Sequence, residues 1–287
     1  MKEITIKAPA KINLTLEVLN KRPDGFHNIQ SIMQTISLYD FLQFKISENV
    51  DNTIELNGNS SEIPYNEKNL VCKACIIFLK ETGIKNVKIS VNIEKNIPVS
   101  AGLAGGSTNA AAALFALNKL FDYPLNDIQI NNLCAQLGSD LNFCLKGGCG
   151  LCTSRGEIIQ SLPSFIQKVS LIKPKKLGIS AKEAYTKFSQ LQDKTNPDNT
   201  NKLRVLLEKN QFDKNLLYNS LEKALFPAYE ELRKIKNGVK NSLMSGSGST
   251  FFVLSDKIEI ENGFLFNEKE YEIFENLKTV STGVSEV

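Results

Sequence analysis

At 287 residues the chain is long enough for a large buried core and lies between one big domain and two ordinary ones, so two lobes are expected. Its 34 Lys and Arg against 31 Asp and Glu exclude a strongly basic nucleic-acid surface, and the small positive excess suits an anionic ligand. No apolar run approaches the ~20 residues of a bilayer span, and MKEITIKAPAKINL lacks the apolar stretch of a secretion signal, so a cytoplasmic protein with no membrane and no nucleic-acid partner is expected.

The first predicted element is a strand over Ile4 to Val18. From Lys11 onward Ile12, Leu14, Leu16 and Val18 alternate with Lys11, Asn13, Thr15 and Glu17, which gives the strand one polar face. A turn signal at Pro23-Asp24-Gly25 is followed by strand patterns at Ile36 to Phe44 and Thr53 to Leu56. Asn69 to Glu81 reads as a helix closed near Gly83, and Val87 to Ile93 alternates as a strand. That strand runs into PVSAGLAGGSTN, after which STNAAAALFALNKLF is helix-forming and apolar nearly all round; Ser107 or Thr108 is expected to cap this helix.

A second helix is expected over Asp127 to Leu137, then a short turn or helix from Asp140 toward Gly147, and a loosening of the chain at Gly147 to Gly150. Beyond it come a strand near Lys168 to Ile172, helices near Ala181 to Gln190, Lys202 to Glu208 and Ala228 to Lys236, the loop MSGSGST, and a strand at Phe251 to Leu254. Strands and helices mix without a regular βαβ repeat, so the fold class is α+β in two lobes. The lobes are drawn at residues 1–156 and 157–287.

Six cysteines include two CxxC pairs, Cys72/Cys75 and Cys149/Cys152, which could in principle form a zinc site. The first pair lies mid-helix and the pairs are more than seventy residues apart, so buried, reduced thiols are the better reading.

A strand that enters a Gly-rich turn and leaves as a helix offers unpaired backbone N–H groups and the positive end of a helix dipole to an anion. The candidate phosphate loop comprises Pro98, Val99, Ser100, Ala101, Gly102, Leu103, Ala104, Gly105, Gly106, Ser107 and Thr108. The Ser107 and Thr108 hydroxyls could bond phosphate or a magnesium ion. The loop is neither a Walker motif, since no Lys follows the glycines, nor a dinucleotide GxGxxG.

With these motifs in order, APAKINLTLEV, RPDGFHNIQSIMQTISLYD, NLVCKA, IPVSAGLAGGSTNAAAAL, LGSDLNFCLKGG, SRGE, GISAKEAY and SGSGSTFF, nearly the whole chain resembles the GHMP kinases. The resemblance implies an N-terminal ribosomal-S5-like nucleotide-binding lobe and a C-terminal ferredoxin-like lobe. It also implies ATP with Mg²⁺, and a small-molecule alcohol as phosphoryl acceptor. In the branch it matches best, the acceptor is a cytidyl diphosphate alcohol of the non-mevalonate isoprenoid route. Lys11 and Asp140 correspond to the catalytic pair, with Asn13 beside them. Phe26, His27 and Tyr185 correspond to the cytosine site, and Lys95 to the adenine side. Phe26 stands where the family usually has Tyr, Ala104 where many members have Gly, and the Cys149 to Cys152 stretch is atypical. Relatives acting on homoserine or mevalonate, and a nucleotide sensor without catalysis, are the alternatives; the metal ligands and the choice between monomer and homodimer stay open.

Overall fold

The structure, a computed structural model, describes residues 2–287. The chain runs β1 (Lys2–Lys21), β2 (His27–Glu48), β3 (Thr53–Gly58), α1 (Leu70–Thr82), β4 (Val87–Glu94), α2 (Gly105–Leu120), α3 (Asp127–Leu137), α4 (Leu141–Lys146), β5 (Cys149–Ser154), β6 (Ile158–Leu162) and β7 (Lys168–Pro174). It continues through α5 (Ala181–Ser189), α6 (Asn199–Glu208), β8 (Tyr218–Asn219), α7 (Leu221–Leu225), α8 (Glu230–Gly238), β9 (Leu243–Met244), β10 (Phe251–Val253), β11 (Tyr271–Lys278) and β12 (Ser285–Glu286).

Two sheets organise these elements. In the larger, β12-β1-β2-β4-β3 form a path, β5 branches from β2 and carries β6, and β8 adds to β1. The smaller is β11-β7-β10-β9. Three strands from beyond residue 156, namely β6, β8 and β12, therefore join the larger sheet. Helices α1 to α4 cover one face of it through a core of Ile6, Phe44, Ile89, Phe78 and the alanines of α2. A second core packs α5, α7 and α8 on the smaller sheet, and a third, with Ile12 and Leu14 against Leu171, Phe252 and Leu203, joins the two sheets. The architecture is α+β.

The long hairpin β1–β2 departs most from the sequence expectation. The second strand begins at His27, not Ile36, and the first spans twenty residues. β1 is buried on both faces from Ala8 to Val18 and β2 from Ser31 to Ile36, so alternation is lost there, and register shifts at Pro9/Ala10 and Asn13/Thr15 disturb the period further. The polar face of β1 is polar but roofed over. Glu17 accepts from the Asn199 amide at 2.7 Å and the Thr15 hydroxyl meets that of Thr200 at 3.0 Å, both in the first turn of α6.

The glycines at 147–150 do not loosen the chain: β5 begins at Cys149 and pairs with β2. At Gly147, with φ +68°, an added Cβ would lie 2.0 Å from the Gly283 nitrogen. The glycines there allow close packing of the C-terminal segment. All six cysteines are buried and unpaired. Cys72 and Cys75 sit in the first core. Cys149 and Cys152, three apart on a strand, enter different clusters. Burial pushes the Cys134 and Cys149 thiols up to about 12, so they are held protonated.

Candidate active site

The turn from β4 into α2 is pinned on all sides. Lys11 of β1 donates its amide to Leu103 O at 3.1 Å, Ile179 donates to Ser100 O at 3.3 Å, and Thr250 to Ala101 O at 3.3 Å. At Gly102, with φ +76°, an added Cβ would sit 2.0 Å from the Ser245 carbonyl oxygen, so glycine is required for the Met244-to-Thr250 loop to close on it. Helix α2 begins at Gly105 behind Ala104, which is left-handed at φ 60° and supplies no side-chain cap. Ser107 and Thr108 lie inside the first turn rather than at the cap, which corrects the sequence expectation. The amides of Gly105, Gly106 and Ser107 consequently have no intrahelical acceptor and no capping oxygen, while the Thr108 amide already bonds Ala104 O at 2.9 Å. This cradle fits an anion.

A cavity of about 870 Å³ opens at this cradle. Sixteen of the residues singled out from the sequence line it: Lys11, Asn13, Phe26, His27, Lys95, Pro98, Val99, Ser100, Ala101, Gly102, Ala104, Gly105, Gly106, Ser107, Asp140 and Tyr185. Leu103 and Thr108 do not; both are buried in the protein. Loop and helix periodicity turns these two side chains inward, a distinction the sequence motif does not carry.

Lys11 lies near the centre of the lining. Its side chain is 4 % exposed, and its ammonium is 3.5 Å from the Asp140 carboxylate and donates to Asn13 Oδ1 at 2.7 Å; Asn13 Nδ2 donates in turn to Ser31 at 2.8 Å. Gly246 closes over them, since a Cβ there would be 3.2 Å from Lys11 Nζ. Asn219, absent from the sequence reading, holds that loop by donating to Met244 O at 2.7 Å and Gly246 O at 2.8 Å. Asp140 precedes α4 but makes no side-chain cap, so its carboxylate is directed to the lysine and the cavity instead of the helix.

At the other end His27 stacks on Tyr185, with ring centroids 5.6 Å apart and planes 22° from parallel, and its Nε2 lies 3.0 Å from the Ser189 hydroxyl. Burial, reinforced by Lys21 and Lys194, lowers the imidazole pKa from its ordinary 6.5 and keeps the ring neutral. Burial, and the charge of Asp140 after it, raises that of Tyr185. Phe26 is half exposed at the mouth. Lys95 is already engaged: it pairs with buried Asp40 at 2.9 Å and donates to Ile97 O. Its ammonium stands directly behind the start of α2, 3.0 Å from where a Gly105 Cβ would be. Burial lowers its pKa, with Asp40 opposing that shift. Sequence reasoning took Asn109 only as the end of the PVSAGLAGGSTN segment and gave no role to it, though its Oδ1 is buried without a partner at the cavity wall, nor to Ser139, Arg155 and Lys182. Only SRGE and GISAKEAY hinted at the last two.

The family model described as GHMP kinases N terminal domain matches residues 69–148, which include the phosphate loop and Asp140. A 4-diphosphocytidyl-2-C-methyl-D-erythritol kinase from Clostridium botulinum (strain Alaska E43 / Type E3) is 42 % identical over 258 residues, covering 88 % of this chain and 90 % of its own. The chain belongs to the 4-diphosphocytidyl-2-C-methyl-D-erythritol kinases of the GHMP family. A crystal structure of a 4-(cytidine 5'-diphospho)-2C-methyl-D-erythritol kinase superimposes with TM-score 0.66 at 28 % identity, covering 88 % of this chain and 90 % of that one. A homoserine kinase from Cytophaga hutchinsonii shares the GHMP kinase fold, with TM-score 0.72 at 17 % identity over 100 % of this chain and 98 % of that one. The α+β expectation is thus met by the GHMP kinase fold.

Proposed function

We propose that the chain transfers the γ-phosphoryl group of ATP to a hydroxyl of 4-diphosphocytidyl-2-C-methyl-D-erythritol, in the cytoplasm, as a step toward isoprenoid precursors. The observation that carries this reading is the single cavity in which an uncapped helix start, the Lys11–Asp140 pair and the His27–Tyr185 stack follow one another. Phosphoryl transfer requires positioning and charge neutralisation more than covalent chemistry from the protein.

The free amides of Gly105, Gly106 and Ser107 take phosphate oxygens, with the Lys95 ammonium adding positive potential behind them. Mg²⁺ would be held by the Ser107 hydroxyl, which lines the cavity in the first turn of α2, and would supply charge neutralisation to the nucleotide phosphates. Asp140 accepts the proton of the acceptor hydroxyl as the hydroxyl oxygen attacks the γ-phosphorus in line and the bond from that phosphorus to the bridging oxygen breaks to release ADP, and Lys11 neutralises the charge that gathers there. Asn13 fixes the lysine rotamer. The cytosine lies against Tyr185, and its polar edge meets His27, whose neutral ring offers one donor and one acceptor.

The test is kinetic. With ATP held constant, kcat/KM for the cytidyl diphosphate alcohol is expected to exceed those for homoserine and mevalonate by at least about 10³-fold, as for a site whose buried polar groups need their partner. Tyr185→Ala is expected to raise KM for the cytidyl substrate by about ten- to a hundred-fold and to leave that for ATP unchanged. Loss of ATP binding alone in that variant would move the base elsewhere.

A further inference from the structure

Five cationic side chains line the cavity: Lys11, Lys21, Lys95, Lys182 and Arg155. Lys11 is held at the transfer end by Asp140 and Asn13, and Lys95 is paired with Asp40 behind the start of α2. Lys21 and Lys182 are exposed on the rim. Arg155 is half-buried, and its location is distinctive. On one side its guanidinium carbon stands 5.2 Å from the centroid of the Phe26 ring, next in sequence to His27. On the other, Gly156 packs on Ser139, where an added Cβ would lie 3.5 Å from the Ser139 Cβ, next in sequence to Asp140. Arg155 thus has its guanidinium at the base end, while the residue after it packs against the neighbour of Asp140.

Three contacts fix the side chain. The ring of Phe26 supports one face, Nε donates to Glu157 at 3.4 Å, and Nη2 donates to the Ala135 carbonyl at 3.4 Å. Glu157 is itself engaged by the Ser154 hydroxyl at 3.0 Å and the Arg155 amide at 2.8 Å. Nη1 makes no hydrogen bond to the protein among the described residues. A pre-oriented planar guanidinium with free donors is the group best matched to a phosphate or diphosphate.

We propose that Arg155 binds the diphosphate bridge of the second substrate, holding it between the cytosine at His27 and Tyr185 and the acceptor hydroxyl at Asp140. This rests on the cytidyl reading above, and it adds a specificity-determining residue to it. The free lone donors and the Phe26 platform make the contact a directional one, so a lysine at 155 keeps charge but not geometry.

The experiment compares cytidine and CDP as inhibitors against the cytidyl alcohol at saturating ATP, in the wild type, Arg155→Gln and Arg155→Lys. Wild type is expected to bind CDP more tightly than cytidine. In Arg155→Gln the CDP inhibition constant and the KM of the alcohol rise about tenfold or more, the cytidine constant moves less than about threefold and the KM for ATP is unchanged; Arg155→Lys falls between. Equal weakening of cytidine and CDP would make Arg155 a packing residue for Phe26 and overturn the proposal. So would unchanged constants for both. If neither compound competes with the alcohol in the wild type, the cytidyl reading itself fails and this assignment with it. Should Arg155→Gln melt early, the ratio of CDP to cytidine constants in Arg155→Lys decides: a ratio equal to that of the wild type overturns the proposal, and a reduced one supports it.

Discussion

Lys11 and Asp140 are a lysine and an aspartate 129 positions apart that meet at 3.5 Å. Asp140 makes no cap hydrogen bond, so Asp140→Asn costs the start of α4 little and isolates the loss of the proposed proton acceptor. Turnover is expected to fall by about 10²- to 10⁴-fold with ATP affinity nearly constant, as measured by steady-state kinetics and nucleotide titration. Lys11→Ala should cost a similar factor, and the double variant far less than the product of the two, since the proposed scheme has the residues acting as one unit. His27 gives a pH prediction. Its folded-state pKa is lowered below 6.5, so the folded protein resists the proton that the unfolded chain accepts. Its contribution to stability is present above pH 6.5 and is lost as pH falls through the lower folded-state value. Melting temperatures of wild type and His27→Gln should therefore converge as pH is taken from 7.5 to 5; a gap that widens would mean the imidazole is charged in the fold.

At the scale of elements, the start of α2 is the informative piece. An added Cβ at Gly106 meets only Leu70 Cδ1 at 3.7 Å, so Gly106→Val should fold, while its branched side chain occupies the space proposed for the phosphates. ATP binding by calorimetry is expected to weaken by at least about a hundredfold with a melting temperature within a few degrees of wild type, a loss of contacts to charged groups rather than of the core. Retained affinity would place the phosphates elsewhere. The sequence showed this loop because glycines and small hydroxyl residues between a strand and an apolar helix have a local cause. It did not show that Ala104 would be the cap, since a left-handed alanine is held there by its surroundings and not by its own preference. Strands β5, β8 and β12 were also illegible, being short and paired with distant partners, and β9 is only two residues long. The polar series Lys11, Asn13, Thr15, Glu17 was visible as a face, but its burial depends on α6 and the 244–250 loop, hundreds of residues later for some contacts.

For the whole molecule, the cavity exists because the sheets are tied together near residues 10–17 of β1 and by the C-terminal segment. Gln34 Nε2 donates to Val280 O at 2.8 Å, the Thr35 hydroxyl to Thr282 O at 3.1 Å, and Gly283 donates its amide to Lys146 O at 3.0 Å. Gly147→Ala, at positive φ and against Gly283, is expected to destabilise the protein by about 2 kcal/mol or more in denaturant titrations. A neutral effect would mean that the C-terminal segment is free to move away. The central claim is that one cavity moves a phosphoryl group from ATP to an alcohol carried on a cytidyl diphosphate. Phosphorus NMR of the purified protein with ATP, Mg²⁺ and that alcohol tests it most directly: the account predicts one new phosphomonoester resonance growing in step with ADP, and none with Asp140→Asn. ADP released with inorganic phosphate alone, or a product of the same yield from Asp140→Asn, would contradict it.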